Sequence, residues 1–152
     1  MTGRGSDEAA WRAVAERLAG TLDGLDAGGF VVLGEPEPAP PARRLRFGGR
    51  RAEAPGSRYV QVLRQGEWLQ AECVGARLFG GAWALSAEQH DEIRALGWLA
   101  PGDADDLGTQ PAYPNYWRTL PDSQRADVVA LAVGALRVLG TRPEDLVWRQ
   151  GP

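Results

Sequence analysis

The chain has 152 residues, 43% hydrophobic and 24% charged, with 17 basic against 20 acidic side chains and a net charge of -3. That balance fits one globular domain over 1–152 and supplies no global positive field, so nucleic acid is excluded as the main partner. A single cysteine permits no intrachain disulfide, the N-terminal residues hold no apolar signal segment, and the longest apolar run, 128–136, is too short for a bilayer; a cytoplasmic protein with no membrane partner is expected.

A first helix follows from Trp11, Val14, Ala15, Leu18, Leu22 and Leu25, which recur at helical spacing. Ser6 is its expected N-cap, Asp7 and Glu8 suit its positive end, and Gly28-Gly29 is its limit. FVVLG (30–34) reads as a short buried strand. Residues 35–57 form a Pro- and Arg-rich loop or hairpin insert, because prolines lack the N–H a central strand or helix needs. Arg43, Arg44, Arg46, Arg50, Arg51 and Arg58 read as a solvated run in preference to an anion-binding patch.

The strongest hairpin is 58–75, turning at Gln65-Gly66. A two-residue loop there pairs Leu63 with Trp68, Val62 with Leu69 and Val60 with Ala71. Val60, Val62, Leu69, Ala71 and Cys73 then share a core face, while Tyr59, Gln61, Leu63, Trp68, Gln70 and Glu72 share a mixed one. A sheet with one dry and one amphipathic face suits an antiparallel meander covered by helices on one side. Residues 76–85 read as a further extended segment or hairpin.

A second helix opens at Ser86, which forms a capping-box pattern with Gln89, and closes at LGW (96–98). Gly97 suits the left-handed C′ position, Trp98 is expected to fold back on Ile93, and Pro101 forbids continuation. Residues 101–112 read as a polar, mobile loop. Pro114-Asn115 reads as a turn, and 116–120 as a strand that sends Tyr116, Arg118 and Leu120 to one face and Trp117 and Thr119 to the other. The aromatics Tyr113, Tyr116 and Trp117 read chiefly as core. A third helix over 123–139 has Asp122 as its N-cap candidate and Gly140 as its stop. It is apolar around much of its circumference, which calls for deep burial or for a homodimer through 123–139. Residues 140–152 are expected as a tail.

Residues that carry chemistry are sparse. The only Cys and the only His are Cys73 and His90, on different predicted elements, so neither a metal nor a cofactor is expected. An enzyme or small-ligand site built on Glu72, His90 and Cys73 is the formal alternative, but Cys73 falls on the core face and His90 reads as a half-buried surface histidine. The carboxylate pairs Glu88/Glu92 and Asp105/Asp106 have no environment that would split their pKa values, and no glycine-rich phosphate loop opens a helix. A non-enzyme is expected.

YVQVL (59–63), QAECVG (70–75), LSAEQ (85–89), LGWLAP (96–101) and YPNYWR (113–118) together resemble the actinobacterial YbjN-like and type III secretion chaperone-like family, TY-Chap. The resemblance spans about 8–139. Its hallmark is an LGW-x-x-P turn, here Gly97, Trp98 and Pro101, followed by a Pro-Asn-aromatic-aromatic segment, here Pro114, Asn115, Tyr116 and Trp117. It implies an α+β fold with an antiparallel sheet of about 4–6 strands and three helices, in the order α-β-β-β-α-β-α. It further implies a chaperone-like or adaptor role, a protein or peptide partner, homodimerisation and no catalytic residue. With the mixed face, it makes Tyr59, Gln61, Trp68, Gln70, Glu72, Tyr116 and Trp117 the candidate contacts for an extended partner segment on the sheet face or edge. An assembly or immunity subunit of a larger system differs only in its partner.

Overall fold

Period-two alternation along the strands decides which side of the sheet is dry. In the computed structural model, which describes residues 3–36, 57–81, 83–109 and 114–152, the elements are α1 (Gly3–Asp23), β1 (Phe30–Gly34), β2 (Tyr59–Gln65), β3 (Trp68–Cys73), α2 (Ala87–Ala95), β4 (Tyr116–Pro121), α3 (Arg125–Val138) and β5 (Val147–Gly151). The strands form one antiparallel sheet in the order β4-β3-β2-β1-β5. The fold is therefore α+β, with a five-stranded sheet and three helices. The residues Arg43, Arg44, Arg46, Arg50, Arg51 and Tyr113 lie outside the described residues.

Val31 and Leu33 stand beside Val62 and Val60, which stand beside Ala71 and Cys73. These six are buried in one cluster with Trp11, Leu18 and Leu22 of α1, Ile93 of α2 and Val128, Leu131, Ala132, Ala135 and Leu136 of α3. All three helices thus contribute to a core on one face, and each large apolar side chain in it contributes about 1.5–3 kcal/mol. The apolar surplus of α3 is accounted for here: it packs on α1, α2, β2, β3 and β4 of its own chain. Its composition does not call for a second copy through 123–139.

The hairpin keeps the expected faces but not the expected partners. Gln65 pairs with Trp68, Arg64 with Leu69 and Val62 with Ala71, so the turn is Gly66-Glu67 and every partner slides by two residues. Gly66 takes φ 62 at the first turn position, a conformation that glycine adopts without a steric penalty. A slip of two preserves each side chain's face, whereas a slip of one would invert them all.

Several local expectations give way to stronger interactions. α1 already runs from Gly3, so Ser6 is an interior residue and not its N-cap. Glu8 instead accepts from Arg137 at 2.6 Å and ties α1 to α3. The described residues of 76–85 form no hairpin: they hold a 3-10 turn at Arg77–Phe79 and an isolated parallel bridge between Ala76 and Trp83. Asp122 does not cap α3, which is preceded by a 3-10 turn; its carboxylate meets Arg64 at 2.9 Å and Arg125 at 3.4 Å. Arg64 emerges on the helix-covered face and needs that counter-charge, and it also donates to the Leu22 carbonyl at 2.8 Å. Arg58 is not part of a solvated run. It stacks 4.4 Å from the Trp83 ring and donates to the Leu139 carbonyl at 2.9 Å. Residues expected as a tail supply β5, whose Trp148 lies under the Arg17 guanidinium at 4.1 Å.

The loop after α2 carries hydrogen bonds of its own. Asp105 accepts from the Leu107 and Thr109 N–H groups at 3.0 and 2.8 Å, and Asp103 accepts from the Ala100 N–H at 3.0 Å. Upstream, Ser86 and Gln89 form the full capping box, and Gly97 takes φ 112. Trp98 turns inward, 2% exposed, and its indole donates to the Leu131 carbonyl of α3 at 3.0 Å. Replacing Trp98 by Ala removes that bond and leaves a large cavity. Urea unfolding should show a loss of about 3–5 kcal/mol, and a loss under about 1 kcal/mol would show that α2 and α3 hold together without it.

Candidate functional site

The face away from the helices is built in rows that cross the strands. One row runs Val32, Gln61, Glu72, Trp117; the next runs Phe30, Leu63, Gln70, Thr119; the last runs Gln65, Trp68, Pro121. Tyr59 and Gly34 pair at the other end. Tyr59, Gln61, Trp68, Gln70 and Glu72 therefore share one surface, as alternation requires. Gln61, Gln70, Glu72 and Tyr59 are half-buried and Trp68 is 43% exposed.

Tyr116 and Trp117 do not belong to that exposed set. Tyr116 is 0% exposed on the helix face, and Trp117 is 1% exposed although it points the other way. Neither offers side-chain surface to a partner. The opening of the strand is a wall of buried rings, because β4 is hemmed in by β3 on one side and by a Leu99–Trp117 backbone pair on the other.

A groove of about 740 Å3 opens beside Trp68. Its floor includes Gln70 and Thr119, and its far wall is the 105–109 loop, held in shape by the Asp105 carboxylate. Leu107 sits on that wall, 77% exposed. The sequence reading passed over Leu107, yet D-x-L-x-T is the spacing of an Asp that caps its own loop and presents the residue between.

Glu72 lies in the middle of this face. Burial raises its carboxyl pKa above the usual value, and the Gln70 amide, which donates to it at 3.4 Å, offsets part of that rise. No salt bridge reaches it among the described residues.

The alternative set Glu72, His90 and Cys73 does not converge. Cys73 pairs with Tyr116 on the helix face, is fully buried, and has its thiol pKa pushed up by desolvation. His90 Nδ1 lies 2.6 Å from the Tyr116 hydroxyl, whose pKa burial pushes up to about 12. Glu72 faces the other way, so the sheet separates it from both. Among the described residues no group of three His, Cys, Asp or Glu side chains could hold a metal ion, and no helix is long and apolar enough to cross a membrane.

The chain matches TY-Chap3, described as T3SS (YopN, CesT) and YbjN peptide-binding chaperone 3, over residues 4–151. It belongs to this family. Comparison with curated proteins and with solved structures gives no match.

In this TY-Chap3 domain the hallmark residues shape the site without touching the groove. Asn115 accepts from the Gly75 N–H at 3.0 Å and donates to the Tyr59 hydroxyl at 3.4 Å, so it fixes the exit of β3 to the entry of β4 and steadies Tyr59. Gly75 is required there, because a Cβ would overlap the Pro114 carbonyl. Gly97 and Trp98 turn the chain off α2 so that Leu99 can pair with Trp117 at 2.9 and 3.0 Å, and Pro101 follows in the next turn.

The raised pKa of Glu72 sets a pH test. A folded-state pKa above the unfolded one means that ionised Glu72 disfavours folding, a penalty present above the carboxylate's titration and absent once acid protonates it. Glu72→Gln should therefore raise the melting temperature near pH 7 by about 1–3 °C, a contribution under about 1 kcal/mol for a half-exposed group. The two proteins should converge as the pH falls through the carboxylate range. A lower melting temperature for the variant at neutral pH would contradict this environment for Glu72.

Proposed function

We propose that this TY-Chap3 domain is a non-catalytic binder of an extended segment of a partner protein, seated on the outward sheet face with its backbone across β3 and β4. Membership of a peptide-binding chaperone family supports a protein or peptide partner. The observation that carries the reading is Trp68: a large aromatic 43% exposed on the face the helices leave open, at the mouth of the groove of about 740 Å3. An indole held on a strand offers a large contact area at little conformational cost, which is why such residues anchor interfaces. Gln61, Gln70 and Glu72 supply hydrogen-bonding groups that select orientation, and Tyr59 borders the same surface. Tyr116 supports the sheet from the helix side, and Trp117 lies buried within the outward row.

The test is affinity capture from a native lysate with the wild-type chain and with Trp68→Ala. The variant is expected to lose its main partner by about 2 kcal/mol, roughly 30-fold in affinity. Its stability should stay within about 0.5 kcal/mol of wild type, as for an exposed residue. A partner retained undiminished by a folded Trp68→Ala chain would remove the outward face from consideration.

A further inference from the structure

The groove beside Trp68 does not end at the sheet. A second depression of about 290 Å3, lined by Leu96 and Asp127, adjoins it across β4. The two share Arg118, Leu120 and Gln124. Three of the large apolar side chains that the fold leaves exposed, Trp68, Leu107 and Leu96, line this continuous channel; Leu96 is 42% exposed.

Arg118, which pairs with Ala71 on the helix-covered side of β4, sits at the join, where the channel turns round the β4 edge of the sheet. Its guanidinium makes no ion pair or hydrogen bond among the described residues, unlike Arg58, Arg64, Arg94, Arg125, Arg137 and Arg142. It is half-buried, so a cation is held partly out of solvent with no ion pair among the described residues. Acids lie to either side instead: Asp105 and Asp106 on the Leu107 wall, the first accepting from backbone N–H groups, and Asp127 beside Leu96, none of them in an ion pair among the described residues. The channel therefore has a positive centre and negative ends, with apolar anchors between. Backbone groups add to this. Trp117 gives both its N–H and its C=O to Leu99. Backbone groups alternate in direction along a strand, so those of Thr119 also point out of the sheet, into the groove it lines.

We infer that the segment bound here carries an acidic side chain opposite Arg118, flanked by apolar residues and with basic residues nearer its ends. This rests on the peptide-binding reading of the face and gives it a charge pattern. A carboxylate at that point forms charge-assisted, two-pronged hydrogen bonds with the guanidinium, and a Lys there meets like charge.

The test uses three labelled synthetic peptides that differ only at the central residue, Glu, Gln or Lys, each with Leu on both sides and Arg toward both ends. Binding is read by fluorescence polarisation at about 0.15 M salt, where exposed charges are screened beyond about 8 Å. The wild-type chain should bind the Glu peptide at least about tenfold more tightly than the Lys peptide. Arg118→Glu should reverse that order, and Arg118→Gln, a milder change beside Ala71, should abolish the preference. Trp68→Ala should weaken all three alike. Equal wild-type affinities, or an order that Arg118→Glu leaves intact, would overturn the acid-at-Arg118 inference. If Trp68→Ala still weakened binding in that case, the peptide-binding face would stand. Failure of all three peptides to bind wild type, or binding insensitive to Trp68 and Arg118 both, would overturn the face as well.

Discussion

All three helices pack on one side of a single antiparallel sheet, and the rest of the molecule follows from that placement. Side chains alternate along a strand, so covering one face commits every second residue to the core and leaves the others to a surface the helices do not reach. Val60, Val62, Ala71 and Cys73 go one way; Gln61, Leu63, Gln70 and Glu72 go the other. The division is insensitive to small errors in pairing as long as they are even. The hairpin turn lies one residue further along than the Gln65-Gly66 bend, the partners shift by two, and the composition of each face is unchanged. The helices, and not the turn, decide which surface is available for function.

The same placement explains where the hallmark residues act. Trp98 is drawn into the core by α3, Leu99 is thereby laid along β4, and Asn115 bridges Gly75 and Tyr59. These contacts close the β4 side of the sheet and set the height of Tyr59. None of them lines the groove beside Trp68. These residues build the platform. The groups proposed to meet a partner, such as Trp68, Leu107 and Arg118, are side chains that the platform positions.

This divides what could be read from sequence from what could not. The helix stripes, the β1 run, the capping box of α2 and the left-handed Gly97 are local signals, set by periodicity or by one residue's backbone freedom, and they hold. The failures are long-range. Ser6 has capping chemistry, but the helix begins earlier. Asp122 looks like a cap, but a buried-side Arg64 from a distant strand claims its carboxylate. Arg58 looks like one of a solvated run, but Trp83 and the Leu139 carbonyl take it. Residues 147–151 carry no strong strand pattern because their pairing is supplied by β1. The channel's second half was invisible for the same reason: Leu96, Leu107 and Arg118 are far apart in sequence, and no local pattern says they share a surface.

The two ends of the sheet are unequal as places for a strand to add. On β4 the outward backbone groups of Trp117 are taken by Leu99, and Pro121 has no N–H, so Thr119 is the one position with an outward pair to offer. On β5, Gly34, Val32 and Phe30 of β1 pair with Val147, Arg149 and Gly151, and no strand among the described residues lies beyond it. A partner that relied on backbone pairing alone would favour β5. The β4 side offers little backbone but a concave channel, three exposed apolar side chains and a cation in no ion pair among the described residues. Binding there, as proposed, would depend on side-chain identity and so would discriminate among sequences. A backbone edge pairs with any extended chain, whereas a channel lined by an indole, two leucines and a guanidinium would select segments whose side chains complement them.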